Sequence, residues 1–224
     1  MSDKRTRAPR NTLNPELIVT TALGLMKTEG VEAFSLRALA KELGVGPMAL
    51  YTYFRNKDEL IDAVRDHLFS TRKLSSAQGP WQQQLRSVAT GLRELLLEHP
   101  CLLRILASRP LKGPETAAAT ETVVRALREA GFSKENAARA HTSLFTFVLG
   151  AALWESQMNA EKQDPEGRRR LRATMAAVSE VDYPTVVDLA GELAATSGGD
   201  AQFEFGLTAL IMGLEPFTTP RRSS

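Results

Sequence analysis

The chain has 224 residues, 43% of them hydrophobic, which suits one mid-sized domain or a small domain joined to a larger one. Lys and Arg number 28 against 26 Asp and Glu, a net charge of +2, so a protein that grips nucleic acid with its whole surface is excluded and any such role must rest on a local patch. The single cysteine, Cys101, excludes an intrachain disulfide.

Residues 1–13 hold Lys4, Arg5, Arg7 and Arg10 against Asp3 alone. This basic arm reads either as a solvated tail or as an arm that reaches DNA. No apolar stretch follows it, as a secretory leader would require. The most apolar segment, Leu144–Trp154, is about half the roughly 20 residues needed to span a bilayer. The chain reads as soluble and cytoplasmic, with no membrane partner.

Apolar residues recur at helical spacing and no window alternates as a strand would, so the expected class is all-α. The first helix runs from Pro15 to Glu29, with Asn14 as cap, Pro15 at the first position and Gly30 as stop. Leu17, Ile18, Ala22 and Leu25 share its apolar face. Ser35 caps a second helix over Leu36–Leu43, whose Leu36, Leu39, Ala40 and Leu43 form a one-sided stripe ended by Gly44. A short third helix covers Pro47–Phe54. A fourth starts after Asn56 and runs to about Leu74, with Asp58 and Glu59 at its positive end and Leu60, Ile61, Val64 and Leu68 facing inward. Arg72–Pro80 reads as a linker. Further helices are expected over Trp81–His99, Leu102–Ser108, Glu115–Ala130, Lys134–Met158, Glu166–Ser179, Pro184–Thr196 and Ala201–Leu214, separated by turn-rich breaks.

The segment Ser35–Lys57 reads as two helices joined by the turn Gly44–Val45–Gly46. Glycine at 44 permits the positive φ that such a turn needs. A short turn of this kind can lay the second helix in a major groove. The exposed side of that helix offers Met48, Ala49, Thr52 and Tyr53, none acidic.

The string from Ile18 through Ala22, Gly30, Ser35–Arg37, Leu39–Ala40, Leu43–Val45, Leu50–Tyr51, Phe54–Lys57 and Leu60 resembles the DNA-binding domain of the tetracycline-repressor (TetR) family. The resemblance implies a helix-turn-helix domain over 14–74, a helical ligand-binding and dimerisation domain over 81–216 and a short tail over 217–224. It implies phosphate contacts at Ser35 and Arg37, a recognition surface of Gly46, Pro47, Met48, Ala49 and Thr52, backbone contacts from Tyr51 and Tyr53, and a phosphate anchor at Lys57. The alternatives are that Tyr51 packs a small core and that Lys57 is a solvated charge.

Three later segments, Ser108–Ser133, Phe147–Gln157 and Phe203–Glu215, resemble the tetracycline-repressor-like subgroup, in which the second and third build a four-helix bundle between two subunits. Leu144, Val148, Ala151 and Ala152 form one stripe, with Gly150 allowing close approach. Phe203, Leu207, Leu210, Ile211 and Leu214 form another. Each stripe could serve an intrachain core. The homodimer interface is preferred, because a two-fold operator needs two copies of its reader.

The subgroup's magnesium-chelating histidine and glutamate correspond here to Ile105 and Trp154, and neither can ligate the ion. The expected effector is therefore largely apolar, held by Leu92, Leu96, Ile105, Phe145, Leu149 and Trp154, with Ser108, Arg109 or Thr146 as polar anchors. His99, before Pro100, is either structural or ligand-facing. His67, His99 and His141 lack the spacing of a local metal motif, and neither a cofactor nor a metal is expected. No catalytic set stands out, which argues against an α-helical enzyme or carrier. The expected function is a dimeric repressor that leaves a palindromic operator when a small molecule binds. A constitutive regulator or an activator of the same fold is the alternative.

Overall fold

The computed structural model describes residues 13–72, 78–108, 112–163, 166, 178–195 and 198–218. The basic arm up to residue 12 and Arg109 lie outside these residues, as does nearly all of the helix expected over Glu166–Ser179. Among the described residues the regular elements are all helical. They are α1 (Pro15–Glu29), α2 (Leu36–Glu42), α3 (Pro47–Tyr51), α4 (Lys57–Thr71), α5 (Trp81–Glu98), α6 (Pro100–Ser108), α7 (Pro114–Glu129), α8 (Lys134–Gln163), α9 (Pro184–Asp188), α10 (Ala190–Ala195) and α11 (Asp200–Leu214), followed by a 3-10 turn at Glu215–Phe217. The chain forms two compact units, residues 1–75 with 98–121 and residues 76–97 with 122–224. The first unit thus takes in α6, which lies beyond the linker in sequence.

In the first unit α1 packs on α2, α4 and α6, and α2 packs on α3. Ile18, Ala22, Met26, Phe34, Leu39, Leu50, Leu60, Ile61, Val64 and Leu68 are buried. Of the expected α1 face, Ile18 and Ala22 are buried together with Val19 and Met26, whereas Leu17 stays exposed. Local chemistry fixes the helix ends. Asn14 Oδ1 accepts from the Leu17 amide at 2.8 Å, Ser35 Oγ from the Ala38 amide at 3.2 Å, and Asn56 Oδ1 from the Glu59 amide at 2.8 Å. Behind α2 the Val45 amide donates to the Ala40 carbonyl and the Gly44 amide to Lys41, with Gly44 at φ 67°. This is the paired closure that needs a left-handed residue just past the helix end.

Several boundaries differ from expectation: α4 ends at Thr71, short of Leu74, because Arg72 is extended at φ −120° and ψ 91°, and α6 starts at Pro100 instead of Leu102. Helix α3 ends at Tyr51 because the Tyr53 and Phe54 amides both turn back onto the Leu50 carbonyl. Helix α8 continues to Gln163, past Met158. The helix expected over Pro184–Thr196 is broken into α9 and α10 at Leu189, whose φ −94° and ψ 8° leave the helical region.

In the second unit α11 packs on α8. Phe203, Leu207, Ile211 and Leu214 of α11 and Leu144, Val148 and Ala152 of α8 are buried, and Phe147 stacks on Phe203 with ring centroids 5.5 Å apart. The tight approach is at Gly206, where a Cβ would come 2.7 Å from the Phe147 ring. Gly150, expected to permit close approach, has open space beside its Cα within this chain.

Candidate DNA-reading surface and effector unit

The reading surface is built by α2, its glycine turn and α3. Leu50 is buried and locks α3 to the unit, which leaves Gly46, Pro47, Met48, Tyr51, Thr52 and Tyr53 exposed and Ala49 half-buried. Met48, at 76%, is more exposed than Tyr51 or Tyr53. Ser35 is committed to capping α2, and Arg37 projects from its first turn into solvent. The sequence assignment therefore falls on one contiguous run, apart from Ser35, Arg37 and Lys57.

Two assigned contact residues are already engaged within the chain. Lys57 Nζ donates to the carbonyls of Val31, at 3.3 Å, and Phe34, and lies 5.6 Å from the Phe34 ring centroid. Its ammonium thus closes the loop between α1 and α2, where the sequence reading placed a free phosphate anchor. The Tyr53 hydroxyl donates to the Leu13 carbonyl at 2.8 Å, so it ties the base of α1 to the end of the reading helix. Neither bond is visible in the sequence, because its partners are 23 to 40 positions apart and meet only once the helices between them have packed.

Arg65, on the inner face of α4, is also absent from the sequence reading. It is 1% exposed. Its Nη1 bonds Asp62 at 2.9 Å, Nη2 donates to the Lys112 carbonyl, and Nε, 3.9 Å from Asp66, has no hydrogen-bond partner. Thr116 Oγ1 donates to Asp66 at 3.3 Å. Burial raises the Asp66 pKa, against the pull of Arg65. Gly113, at φ 109°, lies so close to Asp66 that a Cβ there would overlap the carboxylate. The cluster fastens α4 to the start of α7.

The second unit holds a cleft of about 370 Å³ lined by Thr146, Phe147, Gly150, Ala151, Trp154, Glu155, Gly198, Gly199, Gln202 and Phe203. Its one charged lining residue, Glu155, is neutralised from behind by Arg93. Arg93 meets Glu155 through both Nε and Nη2 at 2.8–2.9 Å, and its Nη1 bonds Asp200 at 2.8 Å. Its guanidinium lies 4.8 Å from the Phe203 ring centroid. Burial works against the Arg93 charge, but the bonds to Glu155 and Asp200 outweigh it and the pKa rises. Arg86 pairs similarly with Glu204, and donates to Thr208 at 2.9 Å.

The effector-lining residues expected from sequence divide between the units. In the second, Thr146 and Trp154 line the cleft, Phe145 and Leu149 are half-buried, and Leu92 and Leu96 belong to the core. In the first, Ile105 is core, and Ser108 is exposed with its hydroxyl bonded to the Arg104 carbonyl at 2.7 Å. His99 is buried, its Nδ1 without a hydrogen-bond partner and its Nε2 3.6 Å from Glu98. Burial, then the charge of Lys27, lowers its pKa.

The stripes expected to meet a partner subunit are largely covered within the chain itself. Leu144, Val148, Phe203, Leu207, Ile211 and Leu214 are buried by the chain itself, and Ala151 and Leu210 are half-buried. An apolar stripe marks the face that meets a core without saying whose core it is. The opposite faces of the same helices carry the unburied apolar surface: Phe205 at 72% and Met212 at 62% on α11, Leu153 and Trp154 on α8.

Residues 18–64 match the family described as bacterial regulatory proteins, tetR family, and residues 75–217 match the tetracyclin repressor-like C-terminal domain. A transcriptional regulator of Saccharopolyspora erythraea is 33% identical over 90% of this chain and 84% of its own length. The class C tetracycline repressor of Escherichia coli is 32% identical over 92% of each chain. Among solved structures, the TetR-family protein ActR of Streptomyces coelicolor, in complex with actinorhodin, superposes with a TM-score of 0.78 at 33% identity, covering 92% of this chain and 97% of its own. The two matched domains together span the glycine turn, the reading helix and the second unit, and the chain belongs to the TetR family of DNA-binding, small-molecule-responsive repressors.

Proposed function

We propose that two copies of this chain bind a palindromic operator and release it when a small, largely apolar molecule occupies the sensing domain, without a divalent metal. The reader spans 14–74 and the sensor 81–216. The observation that carries the reading is the exposed, non-acidic run Gly46–Thr52, held on a buried Leu50, in a chain whose second unit carries an apolar, aromatic cleft. ActR was solved with actinorhodin, and the class C relative is named for tetracycline. Where the subgroup places a metal-chelating pair, Ile105 is buried and Trp154 lines the cleft, and neither offers an oxygen ligand. The chain acts in the cytoplasm as a regulator and not as an enzyme. No helix among the described residues is long and apolar enough to cross a membrane.

The dimer face we assign is the exposed side of α8 and α11: Gly150, Leu153 and Trp154 with Phe205, Met212 and Gly213. These fall at helical spacing, and small residues among large ones let two helices approach. Effector binding shifts the dimer to a state whose reading helices no longer match successive major grooves, which requires tighter binding to that state. Helix α4 carries the displacement, with Arg65 fastening it to Lys112.

The test is to select an operator from random duplexes with the purified chain, then titrate the complex with actinorhodin and with tetracycline, with Mg²⁺ or with EDTA. Release by actinorhodin in EDTA is the expected result. Release that needs Mg²⁺ overturns the metal-free reading. Sedimentation as a monomer at micromolar concentration overturns the dimer.

A further inference from the structure

We propose that α3 reads its operator through thymine methyl groups, so that the base pairs beneath it are A·T. The inference rests on the DNA-reading function proposed above and names what that surface recognises.

Side chains that discriminate bases in the major groove do so mostly by paired hydrogen bonds: Arg or Lys to guanine, Asn or Gln to adenine, Asp or Glu to cytosine. The run from Gly46 to Phe54 contains none of these six residue types. What it presents is the thioether of Met48, the most exposed apolar side chain of the run, beside the methyls of Ala49 and Thr52. The remaining polar atoms are hydroxyls, and that of Tyr53 already donates to the Leu13 carbonyl. The nearest ammonium in sequence, Lys57 Nζ, is turned away onto the carbonyls of Val31 and Phe34. Among base edges in the major groove, the thymine C5-methyl is the group that apolar side chains recognise. Leu50 is buried, so α3 cannot rotate to offer another face. A guanidinium for guanine must come from outside the run, and Arg37 of α2 is an exposed one.

The experiment takes the operator selected with wild-type protein and replaces each thymine of one half-site in turn by deoxyuridine, which removes only the methyl. Wild type should lose about fourfold in affinity at one or two positions, the worth of one buried methyl-sized group. Met48→Ala, a change at an exposed site that leaves the fold intact, should lose nothing further from the same replacements. Putting 5-methylcytosine in place of cytosine at those positions should recover part of the loss caused by a C·G pair. Full affinity for every deoxyuridine duplex, or selection of G·C pairs that Met48→Ala relaxes, overturns the thymine reading while leaving the repressor function standing. Failure to select any sequence overturns both.

Discussion

The helix ends of the reading region and the charged bonds of the second unit are made over very different spans of sequence. Asn14, Ser35 and Asn56 each close a helix through an amide three residues away. Arg93 reaches Glu155 across 62 positions and Asp200 across 107, and Arg86 reaches Glu204 across 118. A cap works because the chain cannot avoid bringing its partner close, whereas a distant ion pair exists only after the fold has formed. The few long-span bonds of the reading region, Tyr53 to Leu13 and Lys57 to Phe34, behave like those of the second unit and were equally invisible beforehand.

If that contrast is real, the second unit should be broken by one charge and the reading region should yield in small steps. The largest effect is expected from Arg93→Met, which strands the buried Glu155 carboxylate and should cost about 3–5 kcal/mol in chemical denaturation. The double variant Arg93→Met with Glu155→Leu should recover much of it. A single-variant cost below about 1 kcal/mol would show that the pair holds nothing.

The two faces of α11 separate next. Phe205→Glu should leave the fold intact and convert the dimer to monomer in sedimentation, whereas Leu207→Glu should unfold the unit by placing a carboxylate in its core. Monomers from neither variant would return the interface to some other surface.

Removing a cap should cost less. Asn56→Ala and Ser35→Ala are each expected to lose about 1 kcal/mol, measured by thermal melting of the whole chain.

Acidification offers a graded test. The His99 and His141 pKa values are lowered by burial from 6.5, so the neutral forms are favoured in the fold. Their contribution is complete above pH 6.5 and is lost as pH falls toward the folded values. The denaturation midpoint should therefore drop on acidification below that point, and His99→Gln should flatten the drop. A steeper drop in the variant would reverse the sign.

The smallest effect belongs to Lys57. A side-chain phosphate contact contributes about 0.9 to the slope of log affinity against log salt. Because Nζ is engaged by carbonyls, Lys57→Ala should change that slope by clearly less while lowering the melting temperature. A full unit of lost slope would restore the ammonium as a phosphate anchor.

The sequence by itself determined the helical class, the caps of α1, α2 and α4, the turn at Gly44 and the family, because each rests on residues within a few positions of one another or on a string of fixed spacing. The run it assigned to recognition lies on one contiguous, mostly exposed stretch, since Leu50 is the one deeply buried residue between Gly46 and Tyr53. Tertiary structure alone decided which core the stripes of α8 and α11 serve, where α6 belongs, and how Arg65, Arg93 and Lys57 are used. The reason is physical. A periodic apolar face fixes the direction in which a helix seeks cover but leaves its partner open, and a buried charge is tolerable only opposite a partner that folding must deliver.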